Sequence, residues 1–319
     1  MKSNYNIAVC LSGEPRTWKH TAAAIRHFFS SDVHNYKFFG HTWNNSYYNK
    51  EHRFASNALS KSLKLVSATQ DHLVNRNRLI DEFENSSWND NYDNKTLADN
   101  LTDTFGMTDI LVEDKKVVSA VCNSLDLIYP EFVAKFDKEY GANQRKPVVL
   151  SHISYSKMRA NSLKTQYELE NEMQFDVVVS ARFDVCYPPT EKFDHWLQFH
   201  GTILPTAIYG ESHYFPNEYF LPHFNDVIYF GNSRIMNVVD DFYRYLVSGK
   251  FWEMLDENYT DCALKSCGYN VNLYKWLTIK NILIKNINIP HTVFRKTEKN
   301  LTWPQDWDEI VNANRILFQ

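Results

Sequence analysis

Glycine is scarce in this chain, with 9 residues in 319, and no glycine-rich phosphate loop is present. Neither GxGxxG nor GxxxxGK followed by Ser or Thr occurs anywhere in the sequence. The first pattern would mark a dinucleotide-binding unit, and the second a Walker-type nucleoside triphosphatase. The sequence therefore argues against both of these classes of nucleotide-binding protein.

Cysteine is also scarce, and its few residues are scattered without a CxxC pair: Cys10, Cys122, Cys186, Cys262 and Cys267. An odd, dispersed set is typical of buried thiols in a reducing compartment. The apolar run at the N-terminus is too short for a signal peptide, and no stretch is long enough to span a bilayer. We therefore expect a cytoplasmic protein without a membrane span.

No strong charge of either sign dominates, since 34 Lys and Arg oppose 38 Asp and Glu for a net charge of -4. Without a basic field, nucleic acid is not an expected partner. The length allows one large α/β domain or two small ones. Aromatic residues are abundant at 15%, and a few of them could stack on a nucleobase or a sugar ring.

The rest of the chain is organised around the stretch FDVVVSARFDVCYPP, residues 175–189. Its β-branched run is apolar on both faces, as in a strand buried within a parallel sheet. Arg182 and Asp184 follow at the strand's carboxyl end, where open α/β sheets bind ligands. Arg182 suits a phosphate, and Asp184 suits a divalent cation that bridges to phosphate. The alternative is a surface ion pair that closes the strand.

A first strand at Tyr5–Leu11 runs into the turn SGEPR and then into a helix from about Trp18 to Phe29. A strand that leads through a polar turn to a helix start is a natural phosphate cradle. Ser12 and Gly13 could meet a base or ribose, and Arg16 a phosphate. A plain connecting loop is the alternative.

Further strands and helices alternate along the chain, which predicts an α/β fold with a mostly parallel sheet. The predicted strands are Tyr36–Thr42, Asp109–Glu113, Gly201–Ile208, Asn225–Phe230 and a strand within Ile279–Ile289. The main predicted helices are Val149–Met173 and Ile235–Leu246. In the first helix we expect Ile153, Met158, Leu163 and Tyr167 to form the buried stripe and Tyr155, Lys157, Arg159 and Asn161 the polar side. On the second we expect Asp240 and Asp241 to lie on a solvated face.

Two features together resemble a group of glycosyltransferases from phages, giant viruses and bacteria. They are SGEPRTW with HTWN after the first two strands, and the block YSKMRANSLKTQYELENEMQFDVVVSARFD. The resemblance implies one GT-A (Rossmann-like) domain over residues 1–319, with a nucleotide-sugar-binding half at 1–190 and an acceptor-binding half at 191–319. It implies hexosyl transfer from a nucleotide-diphosphate sugar, most commonly a UDP-sugar, to a carbohydrate or glycoconjugate acceptor. A viral member would act in the host cytoplasm.

The resemblance also implies Mn²⁺ or Mg²⁺, held by an Asp-x-Asp signature for which this chain has Arg182-Phe183-Asp184. Asp184 matches the second acid, the usual metal ligand, and His291 best matches a late metal-binding histidine, ahead of His223 and His213. The expected nucleotide-sugar contacts are Leu11, Ser12, Gly13, Arg16, Tyr155, Arg159 and Arg182. Asp226 is the candidate catalytic base for the acceptor hydroxyl. A cap at the start of its strand is the alternative role.

Three other functions fit less of the pattern. A nucleotidyltransferase acting on sugar phosphates would normally have a glycine-rich loop near the first strand. A glycoside hydrolase would use paired carboxylates across a cleft. A carbohydrate-binding protein would leave unexplained the polar residues that follow three successive strands.

Overall fold

A computed structural model of the chain describes residues 4–15, 18–44, 92–118, 120–121, 147–187, 191–200, 203–214, 222–254, 269–287, 289 and 291–293. The strands are β1 (Asn6–Ser12), β2 (Asn35–Trp43), β3 (Met107–Glu113), β4 (Val177–Arg182), β5 (Val185–Cys186), β6 (Ala207–Tyr214), β7 (Pro222–Gly231), β8 (Leu283–Asn286) and β9 (Thr292–Val293). The helices are α1 (Trp18–Phe28), α2 (Asn94–Phe105), α3 (Pro147–Glu170), α4 (Phe193–His200), α5 (Ser233–Asp240), α6 (Phe242–Val247), α7 (Lys250–Glu253) and α8 (Tyr269–Ile279).

Seven strands form the main sheet in the order β3-β2-β1-β4-β7-β6-β8. Strands β1 to β4 are mutually parallel, β7 is antiparallel to both β4 and β6, and β8 is parallel to β6. The predicted α/β class with a mostly parallel sheet flanked by helices is therefore confirmed. The chain moves outward from β1 to β2 and β3, and then returns to place β4 on the other side of β1. The strand order thus reverses between β1 and β4.

Helices cover both faces of the sheet, because its central strands are apolar on both sides. In β1, Ile7, Val9 and Leu11 pack with α1, α2 and α4, whereas Ala8 and Cys10 pack on the opposite face with α3, α5, α6 and α8. Burial on both faces accounts for the uninterrupted apolar run of this strand. The result is a three-layer arrangement with the carboxyl edge of the sheet left for loops.

Helix α2 shows how local sequence sets an element's ends. The Asp93 carboxylate accepts the Thr96 backbone N–H at 2.8 Å, which caps the amino end. Gly106 ends the helix in the left-handed region at φ 69°, where glycine carries no side-chain penalty. Strand β3 begins at the next residue.

The buried stripe of α3 differs from the prediction. Ile153, Met158, Leu163 and Tyr167 are only partly buried. The fully buried stripe at three- and four-residue spacing is polar and comprises Ser154, Lys157, Asn161, Lys164 and Glu168. The side-chain nitrogens of Lys157, Asn161 and Lys164 donate across to strand β4 and helix α5, so burial costs less than it would for unpaired groups. Lys164, for example, donates to Glu168 at 3.0 Å and to Ser233 at 2.7 Å.

Three other expectations need correction. Strand β7 starts at Pro222, so Asp226 lies inside the strand and does not cap its start. The predicted helix Ile235–Leu246 is divided at Asp241 into α5 and α6. Asp240, expected on a solvated face, is 5% exposed because α5 turns this residue toward the buried lysines of α3.

One predicted strand is also shifted. The strand predicted at 201–208 is β6, which begins at Ala207 after Pro205, a residue that cannot donate to a ladder. The strand predicted within 279–289 is confirmed as the four residues of β8. Within the described part of the chain, no helix has both the length and the apolar character needed to cross a membrane.

Candidate functional site

The carboxyl edge of the sheet gathers most of the predicted site residues. Strands β1 to β4 are parallel, so they end together, and antiparallel β7 brings its first residues to the same edge. Ser12 at the end of β1 is the register partner of Arg182 at the end of β4. These two strands flank the reversal of strand order, which is where open α/β sheets form a ligand crevice.

The loop after β1 is held by its backbone. Gly13 has φ 101°, and its N–H donates to the Ser156 hydroxyl at 2.8 Å and approaches the His41 carbonyl at 3.2 Å. The Ser12 hydroxyl lies 3.5 Å from the Ala181 carbonyl, and the Leu11 side chain is fully buried in the core. The side chain of Leu11 therefore does not reach the edge. Arg16 lies outside the described residues.

A chain of buried hydrogen bonds runs from this loop to β3. His41 Nε2 lies 2.7 Å from Glu113 Oε2, and Nδ1 lies 2.9 Å from the Ser156 hydroxyl oxygen. Burial lowers the pKa of His41, although Glu113 opposes this, so the imidazole is neutral. A carboxylate only accepts, so Nε2 carries the hydrogen, and Nδ1 is an acceptor for the Ser156 hydroxyl. The same hydroxyl lies 3.1 Å from the His41 carbonyl, so its hydrogen has two acceptors on His41.

The carboxylate of Glu113, at the end of β3, contacts Tyr155 and Arg159 as well as His41. Its Oε2 also accepts from the Tyr155 hydroxyl at 2.8 Å, and its Oε1 lies 3.8 Å from a terminal nitrogen of Arg159. The hydrogen bond from His41, partly opposed by burial, lowers the pKa of Glu113. Helix α3 thereby presents Tyr155 and Arg159 at the carboxyl edge.

Arg182 sits between two carboxylates. Its Nε and one terminal nitrogen, Nη2, donate to the two oxygens of Asp184, each at 2.7 Å, and Nη1 lies 3.6 Å from Asp226. Burial disfavours the charged guanidinium, but Asp184 and then Asp226 outweigh it and raise the pKa of Arg182. The ion pair that the sequence offered as an alternative is therefore present, and it fixes the guanidinium at the strand end.

A second cation, Lys157 on helix α3, is buried next to strands β4 and β7. Its Nζ donates to the Ser180 hydroxyl and to the Asp226 backbone carbonyl, both at 2.9 Å. Burial lowers the pKa of Lys157 to about 8, although Asp226 and Asp240 oppose the shift. Burial likewise raises the pKa of Asp240 to about 7, against the influence of Lys157. Lys157 therefore fixes the backbone of Asp226 from helix α3.

Each of the two predicted metal ligands, Asp184 and His291, has a hydrogen-bond partner within the protein. Both oxygens of Asp184 accept from Arg182, and this carboxylate is 2% exposed. The pairing of Cys186 with Thr292 brings the segment of His291 alongside the residues that follow Asp184. His291 Nδ1 donates to the Ile289 carbonyl at 2.7 Å, which leaves Nε2 as an acceptor.

Across the described ranges, no group of three or more His, Cys, Asp or Glu side chains could hold a metal ion. Mg²⁺ in nucleotide sites is usually held by one or two carboxylates together with substrate phosphates, and the carboxylate predicted for this role, Asp184, is already paired with Arg182. The prediction of a metal stays a prediction. The weaker rivals His213 and His223 face each other in the β6–β7 register, and their side chains lie outside the described part.

The residues predicted for the site did not include Lys157, His41, Ser156 or Glu113. The signal for Lys157 was the polar series at helical spacing on α3, which looked like a solvated face. Glu113 ends β3, as Ser12 ends β1 and Arg182 ends β4, and His41 lies two residues before the end of β2. That shared position was the signal for grouping them.

Comparison with known proteins adds little. No protein-family model and no curated protein sequence matches the chain. The crystal structure of the apo form of mouse xyloside xylosyltransferase 1 aligns with 89% of this chain and 85% of that chain. The identity is 10% and the TM-score is 0.35. A similarity of this strength carries no inference about function.

Proposed function

We propose that the chain is a glycosyltransferase whose nucleotide-diphosphate sugar binds at the carboxyl edge, outside β1 and β4. The observation that carries the proposal is the register pairing of Ser12 with Arg182 at the reversal of strand order. A crevice at this point receives ligand groups from two diverging loops. One loop offers the backbone of Ser12 and Gly13, and the other offers a guanidinium suited to phosphate.

The departing diphosphate gains negative charge, and the site must stabilise it. Arg182 is the group best placed for this, because Asp184 already holds its guanidinium in one orientation. Arg159, 35% exposed in its side chain and 3.8 Å from Glu113, is a second cation at the same edge. The proposed donor is a UDP-sugar, the commoner donor in the group that the sequence resembles.

Asp226 is the proposed catalytic base for the acceptor. In an inverting transfer, the bond from the anomeric carbon to the diphosphate breaks and a bond to the acceptor oxygen forms. The acceptor's proton passes to Asp226. Lys157 fixes the backbone carbonyl of Asp226, and Arg182 lies 3.6 Å from its carboxylate, so two cationic side chains hold this residue in place at the edge. The acceptor would be a carbohydrate or glycoconjugate, bound by residues in the second half of the chain.

The test is turnover of a panel of nucleotide sugars with mono- and oligosaccharide acceptors, followed by mass spectrometry of the product and release of nucleoside diphosphate. Asp226→Asn should lower kcat by roughly a hundred- to ten-thousandfold, as expected for a lost general base. Asp241→Asn, the same change at an exposed carboxylate, is the matched control and should leave turnover unchanged. Release of pyrophosphate from a nucleoside triphosphate and a sugar phosphate would instead identify a nucleotidyltransferase. An Asp226→Asn enzyme with normal kcat would remove Asp226 from the mechanism.

A further inference from the structure

We propose that Arg182, oriented by Asp184, neutralises the donor's diphosphate in place of a divalent cation. The proposal rests on the proposed function, because it concerns how the same donor is bound. Its consequence is that nucleotide binding at this edge is independent of Mn²⁺ and Mg²⁺. Asp184 then serves as a positioning residue for Arg182, and it is not a metal ligand.

The ion pair between Arg182 and Asp184 occupies the carboxylate on which a metal ion would bind. The guanidinium and the Asp184 carboxylate make two parallel hydrogen bonds of 2.7 Å, the strong bidentate form of this interaction. A cation that bound Asp184 would have to reach a carboxylate that is 2% exposed, and it would compete with Arg182 for the same two oxygens. Breaking a buried ion pair leaves an uncompensated charge and is strongly unfavourable.

Arg182 keeps N–H donors that Asp184 does not use, and these can bind phosphate. A guanidinium has five N–H groups, and Asp184 takes two of them. The distance of 3.6 Å from Nη1 to Asp226 is too long for a hydrogen bond. Among the described residues, the other three N–H groups therefore have no hydrogen-bond partner. The side chain is 18% exposed, so a phosphate oxygen can approach these donors from the edge.

The charged side chains around Arg182 balance one another in sign. Arg182 and Lys157 oppose the negative charges of Asp184 and Asp226. Glu14 also acts electrostatically on Arg182, and its carboxylate lies 3.9 Å from Lys115 Nζ. An anionic ligand therefore meets as many positive as negative charges among these six side chains. The guanidinium is also ordered before binding, so little side-chain entropy is lost when phosphate arrives.

Calorimetric titration of the full chain with UDP, GDP and CDP tests this, once in EDTA and once in Mn²⁺. We expect at least one nucleotide to bind wild type with the same affinity in both buffers. Asp184→Asn keeps the Arg182 charge and should retain binding in both buffers. If Asp184 were a metal ligand, wild type would bind only in Mn²⁺, and this variant would lose that binding. Arg182→Ala should weaken binding roughly ten- to a hundredfold in both buffers, the size of a lost hydrogen bond to a charged group.

The exposed pair Asp241 and Arg244, with an N–O distance of 3.4 Å, supplies matched controls. Asp241→Asn and Arg244→Ala should bind nucleotide as wild type does. If Arg182→Ala does not fold, Arg182→Lys replaces it. Lysine keeps the positive charge but cannot make the bidentate contact, so this variant should still bind nucleotide more weakly than wild type.

Three results separate the possibilities. Binding in EDTA that survives Asp184→Asn and fails in the Arg182 variant supports the inference. Binding that requires Mn²⁺ and disappears in Asp184→Asn overturns the inference and leaves the glycosyltransferase proposal intact. Absence of binding by any of the three nucleotides in either buffer overturns both the inference and the proposed donor site.

Discussion

Removing the Ser156 hydroxyl should destabilise the fold far more than an ordinary serine-to-alanine change. In Ser156→Ala, the Gly13 N–H loses its 2.8 Å acceptor and keeps only the His41 carbonyl at 3.2 Å. His41 Nδ1, fully buried, loses the donor at 2.9 Å and has no replacement in the described contacts. One lost hydrogen bond costs about 1 kcal/mol and one orphaned buried acceptor costs about 1–3 kcal/mol, so we expect about 2–4 kcal/mol in total.

Urea unfolding followed by circular dichroism measures this free energy. The control is Ser162→Ala on the same helix, whose hydroxyl donates to the Met158 carbonyl one turn earlier at 2.8 Å. That carbonyl also accepts the helical backbone bond, so the control should cost no more than about 0.5 kcal/mol. Equal losses in the two variants would refute the hydrogen-bond chain from Gly13 to Glu113.

Three further predictions concern the core, the pH response and the layers of the fold. Gly210→Ala should lower the unfolding free energy by about 1–3 kcal/mol, because an added Cβ would lie 2.6 Å from Phe224 Cζ; urea titration checks it, and a neutral result would contradict the close packing. Tyr36→Phe should cost about 1–2 kcal/mol in the same assay, since it removes the 2.6 Å bond from β2 to Asp194 on α4. The folded-state pKa of His41 lies below 6.5, so the unfolded chain takes up the proton first and stability should fall as pH drops below about 6.5. His41→Gln should flatten that slope in urea titrations at several pH values, and an unchanged slope would show that another group causes it.

Most of the sheet could be predicted because the apolar composition of its central strands indicates that they are buried. In β1 and β4 the apolar run is continuous, and both strands proved to be buried on both faces. The antiparallel direction of β7 could not be predicted, since direction depends on how the chain crosses between strands. No local pattern in residues 222–231 encodes it.

The candidate edge could be predicted only where a residue follows a strand. Arg182, Asp184 and Ser12 were found in this way. Lys157 and Lys164 were missed because a lysine on a helix is ordinarily solvated. Here their partners come from strand β4, strand β7 and helix α5, far along the chain, so the sequence of α3 alone does not reveal that its polar side is buried.

The central claim is that a nucleotide diphosphate binds at the carboxyl edge outside β1 and β4. Hydrogen–deuterium exchange of the protein, with and without a saturating nucleoside diphosphate, tests it most directly. The account predicts slower exchange in the peptides that contain Gly13, Asp184 and Asp226, and no change in those that contain Asn35 and Asp176 at the amino edge. Protection at the amino edge, or no protection at saturation, would contradict it.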